Sequence, residues 1–399
     1  MPPYGVRVSD FDFDLPERLI AQHPRARGES RLLVVDRAAG AWHESRVADL
    51  PRWLKAGDLL VANDSRVFPA RLLGRRVPGG GRAECLLLER ENDLGENDLG
   101  ENDLRGRFGA NAHETTSEVV FGGVVFEVWS ALVKPGPKLL VGARIDFTDP
   151  ARAPGVSLTG TIEAIDDTGR RRVRLVAEGA SVADAIDRLG HIPLPPYIRR
   201  PDTDDDRARY QTMFSRLRPE GLRRGFARFP GSIAAPTAGL HFDEGLIAAL
   251  ETAGVGKATV TLHVGYGTFK PVTVEDTADH RVDAERYEVT AATAEAITRA
   301  RAAGGRLVAV GTTTTRALES AARETGAVTA GSGRTELVIT PGYEFRAIDA
   351  LLTNFHLPQS SLLMLVAAFT GRDLLLAAYR DAVARDFAFY SYGDAMLIV

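Results

Sequence analysis

Between residues 68 and 178 the apolar positions fall in short runs separated by Gly, Pro and Asp. The runs at 84–88, at Val124, Phe126 and Val128, at 139–141, at Ala143, Ile145 and Phe147, and at 172–176 each read as a strand. This stretch is expected to be an all-β, barrel-like unit. After Ser181 the period changes: Val182, Ile186 and Leu189 stand at i, i+4 and i+7, the spacing of one helix face. Asp243 is placed to cap a helix that carries Leu246, Ile247 and Leu250 and stops at Gly254. From there strands and helices alternate: a strand at 258–264, an alanine-rich helix at 291–303, a strand at 306–310, a helix at 313–324, and a short strand ending at 351–353. Pro358 then opens a further helix at its first turn. Such alternation predicts a parallel or mostly parallel sheet with helices on it. The pentapeptide at 91–95 recurs at 96–100 and, without its glycine, at 101–104. Copies this short make no solenoid, and their Asn, Asp and Gly content marks a low-complexity surface loop at 90–118, to which no function is assigned.

Composition narrows the class. With 399 residues, 44% hydrophobic and 26% charged, the chain is globular, with room for two domains or one domain carrying an insertion. A single cysteine, Cys85, forms no internal disulfide, and no Cys/His spacing suggests a metal site. A cytoplasmic location is expected, because no leader-like start or long apolar run is visible and no membrane association is implied. The net charge of −4 provides no global attraction to nucleic acid, so any RNA contact is local. Segment 198–230 holds nine arginines against five acids and is suited either to phosphates or to being a solvated loop. Elsewhere the scarcity of lysine, five of 49 basic residues, reads as codon bias.

Candidate chemistry gathers where the predicted strands exit, the end at which α/β sheets bind ligands. The first exit carries His263, Gly265, Gly267 and Thr268; the second, Gly311, Thr312, Thr313 and Arg316; the third, Asn354 and His356. Taken singly, each has an ordinary structural explanation: a packed histidine, a turn glycine, a helix cap. Convergence of all three at one end of one sheet favours a ligand site, with the Thr312–Thr313 helix start suited to an anion. A fourth cluster, 231–242, is rich in small residues, including Thr237 and Gly239, and ends in His241, an imidazole able to move protons near neutral pH. There is no P-loop, nucleophile elbow, H-E-x-x-H motif or strand-linked G-x-G-x-x-G, which lowers the weight of P-loop phosphoryl transfer, zinc hydrolysis and hydride transfer on a Rossmann unit.

Longer stretches are more specific still: D-F-D-L-P at 12–16, N-D-S-R-V-F-P-A-R at 63–71, I-P-L-P-P-Y-I at 192–198, A-A-P-T-A-G-L-H-F at 234–242, L-H-V-G at 262–265, T-N-F-H-L-P at 353–358 and F-Y-S-Y-G-D-A-M at 389–396. Through these the chain resembles, nearly end to end, the S-adenosylmethionine:tRNA ribosyltransferase-isomerase family of queuosine biosynthesis. The resemblance implies an α/β, barrel-like main domain, here 1–67 and 179–399, with an inserted smaller all-β barrel domain at 68–178. It implies ribosyl transfer and isomerisation from S-adenosylmethionine onto 7-aminomethyl-7-deazaguanine at the tRNA wobble position, giving epoxyqueuosine with release of adenine and methionine. S-adenosylmethionine is then a consumed substrate, no cofactor or metal is required, and the partner is a tRNA with a modified wobble guanine. Nothing in the sequence demands an oligomer, and a monomer is expected.

On this reading His241, His263 or His356 is the expected base, with Asp394 or Glu319 adding charge and Phe242 or Tyr266 offering a face to the sulfonium. Asn63, Asp64 and Arg66 are carried over as binding residues from the 63–71 motif. Four departures stand out: Asp283 replaces the second histidine of an H-x-x-H-x-E pattern, Gln359 replaces a lysine, Thr314-Thr315 continues the Gly-Thr-Thr run, and 215–230 reads as an insertion. The competing expectations are a non-catalytic RNA-binding module and an S-adenosylmethionine-dependent RNA methyltransferase. The central spatial expectation is that 63–71, 231–242, 263–269, 311–316 and 354–358 close over one cavity.

Overall fold

A computed structural model of the protein describes residues 6–91, 119–121, 124–216 and 231–399. The chain begins with the hairpin β1 (Arg31–Asp36) and β2 (Ala41–Arg46), a single helical turn α1 (Leu50–Trp53) and β3 (Leu59–Asn63). Next come β4 (Arg71–Val77), β5 (Arg82–Arg90), β6 (Val119–Phe121), β7 (Val124–Lys134), β8 (Arg144–Asp146), β9 (Ser157–Ile165) and β10 (Arg171–Glu178), followed by α2 (Val182–Leu189) and α3 (Asp204–Arg209). The remainder is α4 (Glu244–Thr252), β11 (Gly256–Leu262), β12 (Glu285–Val289), α5 (Ala291–Ala302), β13 (Leu307–Val310), α6 (Thr312–Ala322), β14 (Gly331–Thr335), β15 (Ala350–Asn354), α7 (Ser361–Thr370), α8 (Arg372–Ala384) and β16 (Ala395–Ile398).

The outer segments build a nine-stranded sheet in the order β14-β12-β11-β3-β13-β15-β16-β1-β2. Its centre, β11, β3, β13 and β15, is parallel throughout, while β12, β14 and β2 pair antiparallel. Leu59, Val61, Leu307, Ala309 and Leu351 pack against α5 to α8 on one face. Leu60, Ala62, Val308, Val310 and Leu352 pack against α4, Phe214 and Phe242 on the other. Burial on both faces is why these strands are apolar without alternation. The α/β class with an inserted smaller β-barrel is what the structure shows; the edge strands β14 and β2 do not pair with each other, so the main sheet stops short of a closed ring.

In the insertion, β10, β9, β8, β4, β5 and β7 follow one another and β10 pairs back onto β7, which closes a six-stranded antiparallel barrel. Val182, Ala185, Ile186 and Leu189 of α2 enter its core, so the amphipathic face of that helix serves the barrel rather than the main sheet.

Several local expectations are corrected. Residues 139–141 are not a strand: Leu140 and Val141 are 58% and 62% exposed on a turn, where their apolar character satisfies no pairing. The helix after Pro358 starts at Ser361, because the Ser360 hydroxyl accepts the Leu363 N–H at 3.3 Å and caps it there. The expected elements do not include β1, β2, β3, β12, β14 or β16; β14, Gly-Ser-Gly-Arg-Thr, has no apolar pattern and exists through its pairing with β12. The repeat at 92–104 lies outside the described residues. Among the described residues no single helix is long and apolar enough to cross a membrane.

Candidate active site

The parallel strands β11, β3, β13 and β15 end at one edge, where a cleft opens to solvent; the empty space in and over it, open solvent included, is about 540 Å³. Four segments distant in sequence line it: 234–238, Val264 with Thr268, 311–313, and 353–356. Tyr197, Tyr210, Leu362, Tyr390 and Ser391 complete the wall. A second cleft, of about 450 Å³ with open solvent included, shares Thr268 and Leu362 with the first and adds Gly267, Asp283, Glu285, Arg316 and residues 337–339.

Local sequence explains why these segments approach. Gly311, at φ +90°, makes the turn from β13 into α6 in a region L side chains avoid. As the residue preceding α6 it provides no side-chain cap, so the first N–H groups of the helix open onto the cleft wall. Gly239 is needed for packing, since a Cβ there would lie 2.9 Å from the Thr212 methyl. Tyr390 adopts φ +76°, a conformation rare for a bulky residue. It is held by its N–H on the Phe355 carbonyl (3.0 Å) and by the Asn354 Nδ2 donating to its carbonyl (3.0 Å). The Tyr390 and Tyr197 rings meet edge to face, with centroids 3.8 Å apart, and the Tyr197 hydroxyl bonds that of Ser391.

Of the histidines, His356 lines the cleft, buried, with Nε2 3.0 Å from the Thr353 hydroxyl. Burial pushes its pKa down to about 3. His241 lies buried behind the wall with Nδ1 3.0 Å from Ser30 Oγ. Burial outweighs the neighbouring Asn354 amide and pushes its pKa down to about 4. His263 sits just past the end of β11, its N–H on the Arg286 carbonyl, outside both linings.

The structure brings Thr237, Thr268, Gly311, Thr312, Thr313, Asn354 and His356 to the first cleft and Gly267 and Arg316 to the second. Other expected residues are spent elsewhere. Asn63 clamps β3 to β11, donating to the Leu262 carbonyl (2.9 Å) and accepting its N–H (3.1 Å). Asp64 accepts the Thr259 and Thr261 hydroxyls, and Arg66 is exposed outside the cleft. The 63–71 segment thus underlies the site without lining it. Phe242 is fully buried against Phe214, and neither it nor Tyr266 is part of either wall. Gly265 donates its N–H to Glu285 at 2.8 Å. Glu319 accepts Tyr343 Oη and the Arg346 and Ala347 N–H groups. Asp394 is fully buried, taking Arg25 (2.6 Å) and the Arg31 and Ala388 N–H groups, and burial raises its pKa.

Tyr197, Tyr390 and Ser391 stand in the sequence only inside the longer matching stretches, and Tyr210 in none of them, because no periodicity marks a tyrosine as facing a cavity. Among the described residues no group of three or more His, Cys, Asp or Glu side chains is arranged to hold a metal. In segment 198–230, Arg200 is bound to Asp206, Arg207 to the Gly190 carbonyl and Arg209 to the Arg25 carbonyl. Arg199 is exposed and pairs with Glu17, and residues 217–230 lie outside the described part.

The profile of the family described as queuosine biosynthesis protein matches residues 8–398. An S-adenosylmethionine:tRNA ribosyltransferase-isomerase of Anaeromyxobacter dehalogenans is 47% identical over 99% of both chains. The enzyme of that name from Symbiobacterium thermophilum is 46% identical over 99% of this chain and 100% of its own. The crystal structure of an S-adenosylmethionine tRNA ribosyltransferase from Thermotoga maritima shares 33% identity, covers 98% of this chain and all of its own, and superposes with a TM-score of 0.49. Matched across nearly its whole length by the profile and by these relatives, the chain belongs to the queuosine biosynthesis protein family and is an enzyme of it.

Proposed function

We propose that this enzyme transfers and isomerises the ribosyl moiety of S-adenosylmethionine onto 7-aminomethyl-7-deazaguanine at the wobble position of a tRNA, giving epoxyqueuosine-tRNA and releasing adenine and methionine. S-adenosylmethionine is a consumed substrate and no resident cofactor takes part. The observation that carries this reading is the convergence of four distant segments on one cleft at the edge where the parallel strands end, in a chain whose relatives bear the matching name over their full length. On the same reading the protein works as a monomer in the cytoplasm.

The cleft residues fit the steps. The positive sulfur acidifies the adjacent C–H, and His356 is the imidazole on the cleft wall placed to take that proton; burial keeps it neutral but also makes it a weak base, so its catalytic share rests on position. A positioned base contributes about 10²–10⁴-fold. The crossed Tyr197 and Tyr390 rings offer aromatic surface to the sulfonium, an attraction of about 0.5–2 kcal/mol. Thr312 and Thr313 present uncapped helix N–H groups to negative charge. The wobble base already lies in a loop, so bringing it to the cleft costs little stacking. Among the described arginine side chains of 198–230, Arg199 is the most exposed, and its ion pair with Glu17 yields readily to a phosphate.

The test is product analysis with S-adenosylmethionine and a tRNA carrying the modified guanine. Adenine and methionine in equal amounts support the reading. S-adenosylhomocysteine would instead identify a methyltransferase, and tRNA binding without any product a non-catalytic module. Binding of the tRNA should weaken steeply between about 50 and 200 mM salt.

A further inference from the structure

We infer that the second cleft is an anion subsite in which Arg316 holds the carboxylate of the donor's methionine moiety, with the nucleoside part in the first cleft; this rests on the donor proposed above. Arg316, in the second turn of α6, is only 7% exposed. Two of its three nitrogens are fixed by the protein: Nη1 by the Glu285 carboxylate and Nε by the Leu337 carbonyl at 3.0 Å. The third, Nη2, is buried and has no hydrogen-bond partner. Buried polar groups are almost always satisfied, so an unsatisfied guanidinium nitrogen on a cleft wall calls for an acceptor that arrives with a ligand.

The carboxylates already present cannot supply that acceptor. Glu285 spends one oxygen on Arg316 and the other on the Gly265 N–H. Asp283, on the same wall, is held by Lys270 at 2.8 Å and Arg170 at 3.2 Å. Lys270 and Arg170, both partly exposed and outside the cleft lining, neutralise Asp283, and Arg316 pairs with Glu285 while keeping Nη2 for an incoming anion. A guanidinium already oriented at two nitrogens is pre-organised for a planar carboxylate. The clefts meet at Thr268 and Leu362, so one elongated ligand can reach both. A phosphate of the RNA shares this chemistry and is separated by the experiment.

Calorimetric binding to the full chain would compare S-adenosylmethionine with its decarboxylated analogue, which keeps the sulfonium and the amine. The wild type should bind the carboxylate-bearing donor about 10- to 100-fold more tightly, the worth of a charge-assisted hydrogen bond. Arg316→Lys, which keeps a cation beside Glu285, should erase most of that preference while the tRNA affinity stays unchanged. A wild type indifferent to the carboxylate would overturn the inference without any variant being made. So would equal weakening of both donors by Arg316→Lys, the mark of a purely structural role. Loss of tRNA affinity and of salt dependence with the donor preference intact would reassign the subsite to an RNA phosphate. Adenine release by the wild type separates the two levels: with release but no carboxylate preference, only the subsite falls; with neither release nor donor binding, the proposed reaction falls too.

Discussion

Replacing Asp206 tests how the tyrosine wall of the cleft is held. Its carboxylate is 2% exposed and accepts five hydrogen bonds. Oδ2 takes Arg200 Nη1 (2.7 Å) and the Thr203 N–H (2.8 Å) and hydroxyl (2.9 Å); Oδ1 takes Arg200 Nη2 (2.8 Å) and the Tyr392 hydroxyl (3.0 Å). Tyr392 packs edge-on against Tyr210, a cleft residue. Breaking a buried pair from one side costs about 3–5 kcal/mol. Arg200 retains the Gln22 and Pro201 carbonyls and some solvent contact, which sets Asp206→Ala near the lower end, about 3 kcal/mol. Asp206→Asn keeps one acceptor and should cost about 1.5–2 kcal/mol. Urea denaturation at pH 7 measures both. The Arg200 and Thr203 bonds hold the Asp206 pKa well below the usual carboxylate range. Its contribution is therefore complete above the unfolded value of about 3.9 and is lost as pH falls through the folded value. The gap between wild type and Asp206→Ala should narrow only below about pH 4. Stabilities of both variants within about 0.5 kcal/mol of wild type at pH 7 would refute this account.

His241 and His356 have pKa values lowered by burial, so below about pH 6.5 the unfolded imidazoles take protons that the folded ones refuse. Stability should fall as pH drops from about 6.5 toward 4, and His241→Gln should flatten that slope in urea midpoints; an unchanged slope would count against it. His356→Ala should slow single-turnover adenine release by about 10²–10⁴-fold, and a loss of only a few-fold would remove it as the base. Gly311→Ala should cost about 1–3 kcal/mol in thermal or urea unfolding through backbone strain, because its Cβ would stand at an ordinary 3.4 Å from Ala238 Cβ. Asn63→Ala should cost about 1–3 kcal/mol by orphaning the Leu262 backbone, with donor affinity unchanged at temperatures where the variant is folded; lost affinity at unchanged stability would make Asn63 a ligand contact instead.

The sequence by itself determined the elements whose cause is local. The α4 helix begins where Asp243 accepts the Leu246 N–H at 2.7 Å, as the capping residue requires, and ends before the left-handed Gly254. The α2 face was legible from spacing, as were the centres of β5, β10, β11 and β13 from their apolar runs. The three strand exits and the small-residue segment were legible too, because glycine, threonine and asparagine at a turn serve little purpose in packing. Tertiary structure alone decided what those side chains were used for. Asn63 carries the same amide as Asn354, and Asp64 a carboxylate of the same size, yet pairing of β3 with β11 places their acceptors opposite Leu262, Thr259 and Thr261 and consumes them. Strand β14 forms because β12 offers it a partner, and α2 joins the barrel because the closed ring presents the nearest apolar surface. The tyrosines of the cleft and the unsatisfied Arg316 nitrogen follow the same rule. Propensity and capping act within a few residues of chain, whereas the direction a polar group faces is set by neighbours well beyond that reach, 21 and 31 residues away for Arg316 and 199 for Asn63.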